Sequence, residues 1–207
     1  MRKGTIPALI LFLAGVAMVV VYYFTTLPQP EPEVSNAVPG AGGAQLEITV
    51  SGEANGVILI DLFPEVAPRH VEQVTALAQS GAYDGVVFHR VIDGFMAQTG
   101  DVEFGRKGGD MSRAGSGGSS RPDLPAEFSE IPYVAGTVGM ARSSSPNSAN
   151  SQFFIMFAPG DFLNGKYTVI GQVASGFDVV QAIKKGEGPN GAVIGAPDVM
   201  ETVRVID

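Results

Sequence analysis

Residues 88–101 read FHRVIDGFMAQTGD, two β-type runs joined by the dipeptide Asp93-Gly94. An Asp-Gly pair flanked by apolar residues is typical of a tight hairpin turn. Side chains on a strand alternate between its two faces, so Arg90 is a charge inserted among large apolar groups. The stretch fits an ordinary core strand whose arginine reaches solvent along its methylene stem, and it fits a functional arginine equally well.

Two further stretches combine a polar loop with an apolar segment. Residues 139–155 read GMARSSSPNSANSQFFI, in which a Ser- and Asn-rich loop ends abruptly at Gln152. Residues 161–167 read DFLNGKY, and with Gly160 they have the glycine and lysine spacing of a phosphate-binding loop. Tyr167 stands where that loop needs Ser or Thr to hold magnesium, so no nucleotide site is predicted.

The rest of the chain predicts a mainly-β domain. Eight runs have strand character: 46–50, 57–63, 85–91, 95–98, 136–141, 153–157, 167–173 and 199–206. Apolar residues spaced three and four apart predict a helix at about 66–79, and a second short helix fits 177–184. A long loop rich in Gly, Ser and Arg covers 105–125. This pattern predicts a closed eight-stranded antiparallel barrel capped by two helices.

Composition excludes several classes of protein. The 207 residues include no cysteine, which excludes a disulfide scaffold, a thiolate nucleophile and a Cys-ligated metal site. The only histidines are His70 and His89, and no HExxH spacing is present, so neither a metal nor another cofactor is expected. A formal net charge of -8 argues against a nucleic-acid partner, because affinity for phosphates comes from clustered Lys and Arg.

The N-terminus differs in composition from the rest of the chain. Residues 6–24 form an uncharged apolar run of about 19 residues, long enough for a transmembrane helix. Basic residues in the short end 1–5 predict that this end stays in the cytoplasm and that the remainder faces outward. The alternative is a cleaved signal peptide, whose apolar region is usually shorter and is followed by a small-residue cleavage site. Residues 25–45 are typical of a Pro-, Gly- and Ala-rich linker, and residues 46–207 form the folded domain.

Together, the stretches 88–101, 139–155 and 161–167 closely resemble the cyclophilin family of peptidyl-prolyl cis/trans isomerases. The resemblance covers essentially all of residues 46–207, including the order of strands and helices. It implies a cyclophilin-like barrel that binds proline-containing polypeptides and accelerates rotation about Xaa-Pro bonds without a cofactor. It also implies that Arg90 is the catalytic arginine.

The resemblance assigns substrate-binding roles to twelve further residues. The walls of a proline pocket would be Phe95, Met96, Phe154 and Leu163. Gln98 would hold both the arginine and the substrate carbonyl, and Gln152 would be a second glutamine of the groove. His89 and Tyr167 would line the same groove, and the backbone of Ala141, Arg142 and Ser143 would bind the residues before the proline. Phe162 would be the remaining substrate-binding residue.

Three positions depart from the family pattern. Arg142 replaces an Asn that is common in eukaryotic members, which is tolerable if the position acts through its main chain. The loop 141–146 is one residue longer than in those members, so Ser143 and Ser144 compete for the same assignment. Phe162 replaces the Trp of cyclosporin-sensitive members, and because Phe lacks the indole N–H donor, weak cyclosporin binding is expected.

Three functions fit these residues. The first is an isomerase that acts on folding proteins outside the cytoplasmic membrane, with the domain facing the periplasm or the cell exterior. The second is a non-catalytic proline-peptide binding module or a holdase chaperone that uses the same groove. The third is a structural adaptor, which would have no need of Arg90, Gln98 and Phe154 together.

Overall fold

The computed structural model describes residues 44–206. The predicted transmembrane helix at 6–24 and the linker up to residue 43 lie outside the described residues, so both stay predictions. Within 44–206, no helix combines the length and the apolar character that crossing a membrane requires.

Nine strands form one sheet in which every pair is antiparallel. In chain order they are β1 (Gln45–Ser51), β2 (Gly56–Leu62), β3 (Val86–Val87), β4 (Arg90–Ile92), β5 (Met96–Thr99), β6 (Thr137–Met140), β7 (Phe153–Met156), β8 (Val169–Ser175) and β9 (Val199–Ile206). The order across the sheet is β3-β9-β1-β2-β8-β6-β7-β5-β4. Its two outer strands, β3 and β4, are neighbours in sequence, so the sheet curls back toward its own beginning.

The predicted eight-stranded closed barrel is corrected to this curled nine-stranded sheet. The run 85–91 was expected as one strand, but it divides into β3 and β4 at Phe88 and His89. Phe88 N–H donates to the carbonyl of Asp198 at 2.9 Å, and the carbonyl of His89 accepts from Val193 N–H at 3.1 Å. Because these backbone groups bond to other loops, the ladder is interrupted. No paired register joins β3 to β4 within residues 44–206.

Two α-helices pack against the sheet, as predicted. Helix α1 (Pro68–Gln79) places proline in its first turn, where the missing N–H costs nothing, and it packs on β9. Helix α2 (Phe177–Ala182) follows Gly176 in a left-handed conformation and packs on β2. It ends before the predicted Lys184, whose N–H donates instead to the carboxylate of Asp198 at 2.6 Å.

The buried apolar side chains form two clusters. The larger one fills the interior between the sheet and the helices, and the smaller consists of Phe63, Met96, Tyr133, Phe154, Met156, Leu163 and Val169. Alternation along β5 and β7 separates them, since Met96 and Phe154 belong to the smaller cluster while their neighbours Ala97 and Ile155 belong to the larger. The smaller cluster therefore lies on the opposite face of the sheet from the main core.

Candidate active site

The strand register aligns three predicted site residues in one row. Arg90 on β4 is opposite Gln98 on β5, and Gln98 is opposite Phe154 on β7. Residues directly opposite each other on paired strands point to the same face of a sheet. A charged, an amide and an aromatic side chain therefore lie side by side on the face that carries the smaller cluster.

The guanidinium of Arg90 is fixed by hydrogen bonds to neutral acceptors. Its Nη1 donates to Oε1 of Gln98 at 3.0 Å, and Nε and Nη2 donate to the main-chain O and the Oδ1 of Asn190 at 3.0 and 3.1 Å. None of the ion pairs among residues 44–206 involves Arg90. Burial lowers the pKa of the guanidinium, but arginine stays protonated in proteins. The half-buried charge is therefore held in place without being neutralised.

Asn190 is a site residue that sequence reasoning missed. It is the only non-glycine residue with positive φ in the described chain, at φ 56°. Asn tolerates this left-handed conformation, and Pro189-Asn190-Gly191 is a recognisable turn sequence. The turn lies against β4, where Ala192 forms an isolated β-bridge with Arg90. The local pattern could have predicted the turn but not its contact with a residue 100 positions earlier.

Gln98 connects Arg90 to a second amide and to the long loop. Its Nε2 donates to Oε1 of Gln152 at 2.9 Å. The Nε2 of Gln152 in turn donates to the carbonyls of Gly115 and Gly117 at 3.1 and 2.8 Å. Each amide uses both of its ends, so the chain of bonds fixes the rotamers of Gln98 and Gln152 and, through Gln98, the guanidinium.

The buried carboxylate of Asp101 also fixes the long loop 105–125. Asp101 has no exposed surface, and its oxygens accept from the N–H groups of Glu103, Phe104, Gly115 and Gly117 at 2.7 to 3.1 Å. Burial raises the pKa of Asp101, but the four backbone donors outweigh burial and leave the pKa below its usual value. The loop that bonds to Gln152 is thus anchored to the end of β5.

The four predicted walls of the apolar pocket lie together. Met96, Phe154 and Leu163 are members of the smaller cluster, and Phe95 packs against it half-buried. Tyr133, which the sequence did not indicate, stacks on Phe154 with ring centroids 5.7 Å apart. These groups offer an apolar surface next to the Arg90 guanidinium, whose Nη1 is 3.7 Å from the Met96 sulfur.

Gly139 leaves room for these aromatic rings. Gly139 belongs to β6 and lies opposite Phe154 of β7. A Cβ at this position would overlap the Tyr133 hydroxyl and come within 2.7 Å of Phe154 Cζ. Real Cβ atoms essentially never approach so closely. A glycine here allows both rings to lie flat against the strand.

The predicted edge segment borders the same face. Ala141 N–H donates to the carbonyl of Gln152 at 2.9 Å, which joins this edge to β7. The guanidinium carbon of Arg142 lies 4.3 Å from the ring centroid of Tyr167, and its nitrogens donate to the carbonyls of Ser143 and Lys166. Arg142 therefore ties the edge to the segment that follows Leu163.

The remaining predicted residues differ in exposure. Ser143 is exposed, and its hydroxyl is 2.7 Å from that of Ser148 within its own loop. Phe162 is 62% exposed, with its ring centroid 5.4 Å from that of Phe95 at the mouth of the apolar surface. His89 is buried beside Gly115, and this burial lowers the pKa of its imidazole.

Two cavities flank the Gln98 side chain. One of about 510 Å³ is bordered by Gln98, Gln152, the edge 141–143 and the loop 115–119. The other, of about 450 Å³, is bordered by His89, Arg90, Gln98 and the segments 112–116 and 189–192. Among residues 44–206 no three His, Cys, Asp or Glu side chains come together as a metal site would require. These cavities offer a fixed cation and amide groups, and the smaller apolar cluster lies next to the cation through Met96.

Comparison with known sequences identifies relatives of this arrangement. The family model described as cyclophilin type peptidyl-prolyl cis-trans isomerase/CLD matches residues 45–205. A probable peptidyl-prolyl cis-trans isomerase of Brucella suis biovar 1 is 61% identical over 161 residues, which cover 76% of this chain and 82% of the relative. The peptidyl-prolyl cis-trans isomerase cyp15 of Rhizopus delemar is 43% identical over 140 residues, 64% of this chain and 20% of its own.

Two solved cyclophilin structures have the same fold as this chain. Cyclophilin AquaCyp293 from Hirschia baltica superposes with a TM-score of 0.62 at 27% identity, covering 77% of this chain and 72% of its own. A Cryptosporidium parvum cyclophilin type peptidyl-prolyl cis-trans isomerase, crystallised in the presence of the dipeptide Ala-Pro, gives a TM-score of 0.65 at 24% identity. Its match covers 79% of this chain and 99% of its own.

Proposed function

Since the chain belongs to the cyclophilin family and is a peptidyl-prolyl cis-trans isomerase, we propose that Arg90 carries the reaction by stabilising the twisted amide. The observation that supports this role is a guanidinium held by Gln98 and Asn190, without a carboxylate partner, beside an apolar surface. The substrates are proline-containing polypeptides, consistent with the use of the dipeptide Ala-Pro in crystallising the Cryptosporidium parvum relative.

The reaction needs no bond to be made or broken. Rotation about a peptide bond meets a barrier of about 18–20 kcal/mol because the nitrogen lone pair is delocalised into the carbonyl. At the twisted transition state the lone pair returns to the prolyl nitrogen, which then accepts a hydrogen bond. A donor aimed at that nitrogen binds the transition state better than either planar ground state. Arg90 is such a donor.

The magnitude of the Arg90 contribution is limited. A charge-assisted hydrogen bond contributes about 1.5–3 kcal/mol, which corresponds to roughly ten- to two-hundred-fold in rate. Any further acceleration has to come from holding the substrate. The surface formed by Phe95, Met96, Phe154 and Leu163 would grip the pyrrolidine ring, so that only the preceding carbonyl swings.

The alternative function is a binding module or holdase that uses the same groove without turnover. The two functions differ in their dependence on Arg90. The test measures proline-limited refolding of a client protein and suppression of its aggregation, with wild type beside Arg90→Ala. The proposal predicts that the variant loses the acceleration of refolding. A variant that accelerates refolding as the wild type does would overturn the proposal. Aggregation suppression by a wild type that never accelerates refolding would favour the holdase.

Residues 6–24 support a second part of the proposal, that the enzyme is anchored in the cytoplasmic membrane with its domain facing the periplasm or the cell exterior. A linker of residues 25–45 has a root-mean-square reach of roughly 25 Å, so activity would be confined to a shell near the membrane. Clients would be proteins that fold in that shell.

The absence of cysteine gives this topology a clean test. Single cysteines introduced as Thr5→Cys and Ser35→Cys are treated in intact cells with a membrane-impermeant maleimide. The anchored form predicts labelling at residue 35 and protection of residue 5 until the membrane is opened. A mature chain that lacks residues 1–24 and fractionates away from membranes would instead establish a cleaved signal peptide.

A further inference from the structure

The cavity of about 450 Å³ next to Arg90 is lined by cationic and neutral groups only. Its residues are His89, Arg90, Gln98, Ser112, Arg113, Ala114, Gly115, Ser116, Pro189, Asn190 and Ala192. The cavity on the other side of Gln98 has one carboxylate, Asp123, and one cation, Arg142, in its lining. The two ends of the groove therefore differ in charge.

Arg113 supplies the second positive charge of this cavity. It ends a short 3-10 turn (Met111–Arg113), and its guanidinium carbon lies 3.6 Å from the centroid of the Phe104 ring. Stacking of this kind orients a guanidinium while leaving its edge donors available. Asp110 accepts from Ser112 N–H in the turn, and this hydrogen bond, with a smaller contribution from the charge of Arg113, lowers the pKa of Asp110; the two side chains form no ion pair.

His89 adds unused hydrogen-bonding capacity to the wall. The residue is 6% exposed, and its ring lies near the backbone of Val87 and the side chain of Gln152 without a well-formed hydrogen bond to either. A neutral imidazole carries one N–H donor. Burial lowers the pKa of His89, so the neutral form, with that donor, is the one favoured at neutral pH.

The cationic cavity stands out against an acidic protein. The whole chain has a formal net charge of -8, yet the ion pairs of the described chain involve neither Arg90 nor Arg113. Two unpaired arginines converge on one cavity that is continuous with the reacting groove. A carboxylate on the Arg113 side of this cavity would meet a positive charge without pairing with Arg90 and without displacing an acidic group of the enzyme.

We propose that this cavity is a subsite for an acidic side chain of the client, close in sequence to the proline that is isomerised. The inference rests on the proposed function and adds a substrate preference to it. The occupant is an aspartate or glutamate carboxylate, because the lining offers positive charge and N–H donors and no acidic acceptor for a cation.

The test compares full-length wild type, Arg113→Gln and Arg121→Gln on one family of proline peptides. A single glutamate, or the isosteric glutamine, is placed in turn at each of the three positions before the proline and each of the three positions after it. Exchange NMR gives kcat/KM for each peptide. Arg121 is the matched control, because it is an exposed arginine of the same loop that lines neither cavity and makes no ion pair among residues 44–206.

At one or two positions, glutamate is expected to exceed glutamine in kcat/KM by about two- to fivefold, as for a partly exposed charge pair. Arg113→Gln should bring the ratio of kcat/KM between the glutamate and glutamine peptides to about one. Arg121→Gln should leave this ratio unchanged. Equal rates at every position, a ratio that survives Arg113→Gln, or an equal loss in both variants would overturn the subsite. Catalysis of the glutamine peptides by the wild type tests the proposed function separately, so the two failures are distinguishable.

Discussion

Asn190 accepts two hydrogen bonds from Arg90, one at its main-chain oxygen at 3.0 Å and one at its side-chain Oδ1 at 3.1 Å. The residue that would act on the amide is thus positioned by a residue 100 positions later, whose own backbone is left-handed. Neither acceptor carries a charge, so the guanidinium is oriented without losing its electrostatic effect.

Substitution of Asn190 separates orientation from charge. Asn190→Gly keeps the left-handed backbone and the main-chain acceptor but loses Oδ1, and it should lower kcat about tenfold, since a hydrogen bond to a charged group contributes about 1.5 kcal/mol or more. Asn190→Asp keeps the shape but pairs Arg90 with a carboxylate, so it should lower kcat further at an unchanged melting temperature. Wild-type kcat in both variants would show that the contact has no role in positioning.

Substitution of Gly139 tests the fit of the aromatic rings. Gly139→Ala should lower the free energy of unfolding by about 1–3 kcal/mol, because the added methyl group overlaps Tyr133 and Phe154. Urea unfolding measures this change. The matched control is the double variant with Tyr133→Phe, which removes the nearest atom and should restore part of the loss. An unchanged stability in the single variant would mean that the rings are not confined as described.

Much of this arrangement follows from local sequence, and the rest depends on distant contacts. The Asp93-Gly94 turn predicts a hairpin, and the observed pairing of Arg90 with Gln98 follows from it. The run around Phe88 has unbroken strand character, and only bonds from distant loops divide it. Asn190 shows the same limit, since its turn is readable but its partner is not. The eight-strand count was wrong for this reason.

The roles carried over from the family stay predictions, although their geometry agrees. Phe95 and Met96 are adjacent, but Phe154 and Leu163 come from two later segments, and all four meet at the smaller cluster. Alternation on β5 and β7 explains two of the four, since it sends Met96 and Phe154 to the face opposite the core. Leu163 reaches the cluster from a loop, and periodicity gives no information about such a position.

Phe162 decides the predicted response to cyclosporin. The ring is 62% exposed at the mouth of the apolar surface, where it can contact a ligand but cannot donate a hydrogen bond. The wild-type isomerase should bind cyclosporin weakly, and Phe162→Trp should tighten binding about tenfold, the value of one hydrogen bond of about 1.4 kcal/mol. Titration of the isomerase activity with cyclosporin measures the inhibition constant of the wild type and that of Phe162→Trp. Tight inhibition of the wild type would contradict the prediction.

Asp101 should make the free energy of unfolding depend on pH in the acidic range. Its pKa in the folded chain lies below the usual value, so its carboxylate stabilises the fold at pH values above about 4. This contribution is lost as the pH falls through the unfolded and then the folded pKa. The free energy of unfolding of the wild type should exceed that of Asp101→Asn near pH 7, by about 1–3 kcal/mol, and the gap should narrow toward pH 2.

Denaturant titrations across this pH range, on both proteins, give the comparison. Glu201, a partly exposed carboxylate that pairs with Lys107, serves as the control through Glu201→Gln, which should change stability far less. A gap between wild type and Asp101→Asn that stays constant with pH would show that the four backbone bonds do not depend on the charge of Asp101.

Removal of the Arg90 guanidinium tests most directly our proposal that this group stabilises the twisted amide. Exchange NMR measures cis-trans rates in an Xaa-Pro peptide with the wild type, Arg90→Ala and Arg90→Lys, each shown to be folded by its spectrum. We expect a loss of roughly ten- to two-hundred-fold in kcat/KM for Arg90→Ala. A smaller loss is expected for Arg90→Lys, which keeps the charge but not the fork of donors. A folded Arg90→Ala protein that catalyses exchange at the wild-type rate would contradict this proposal.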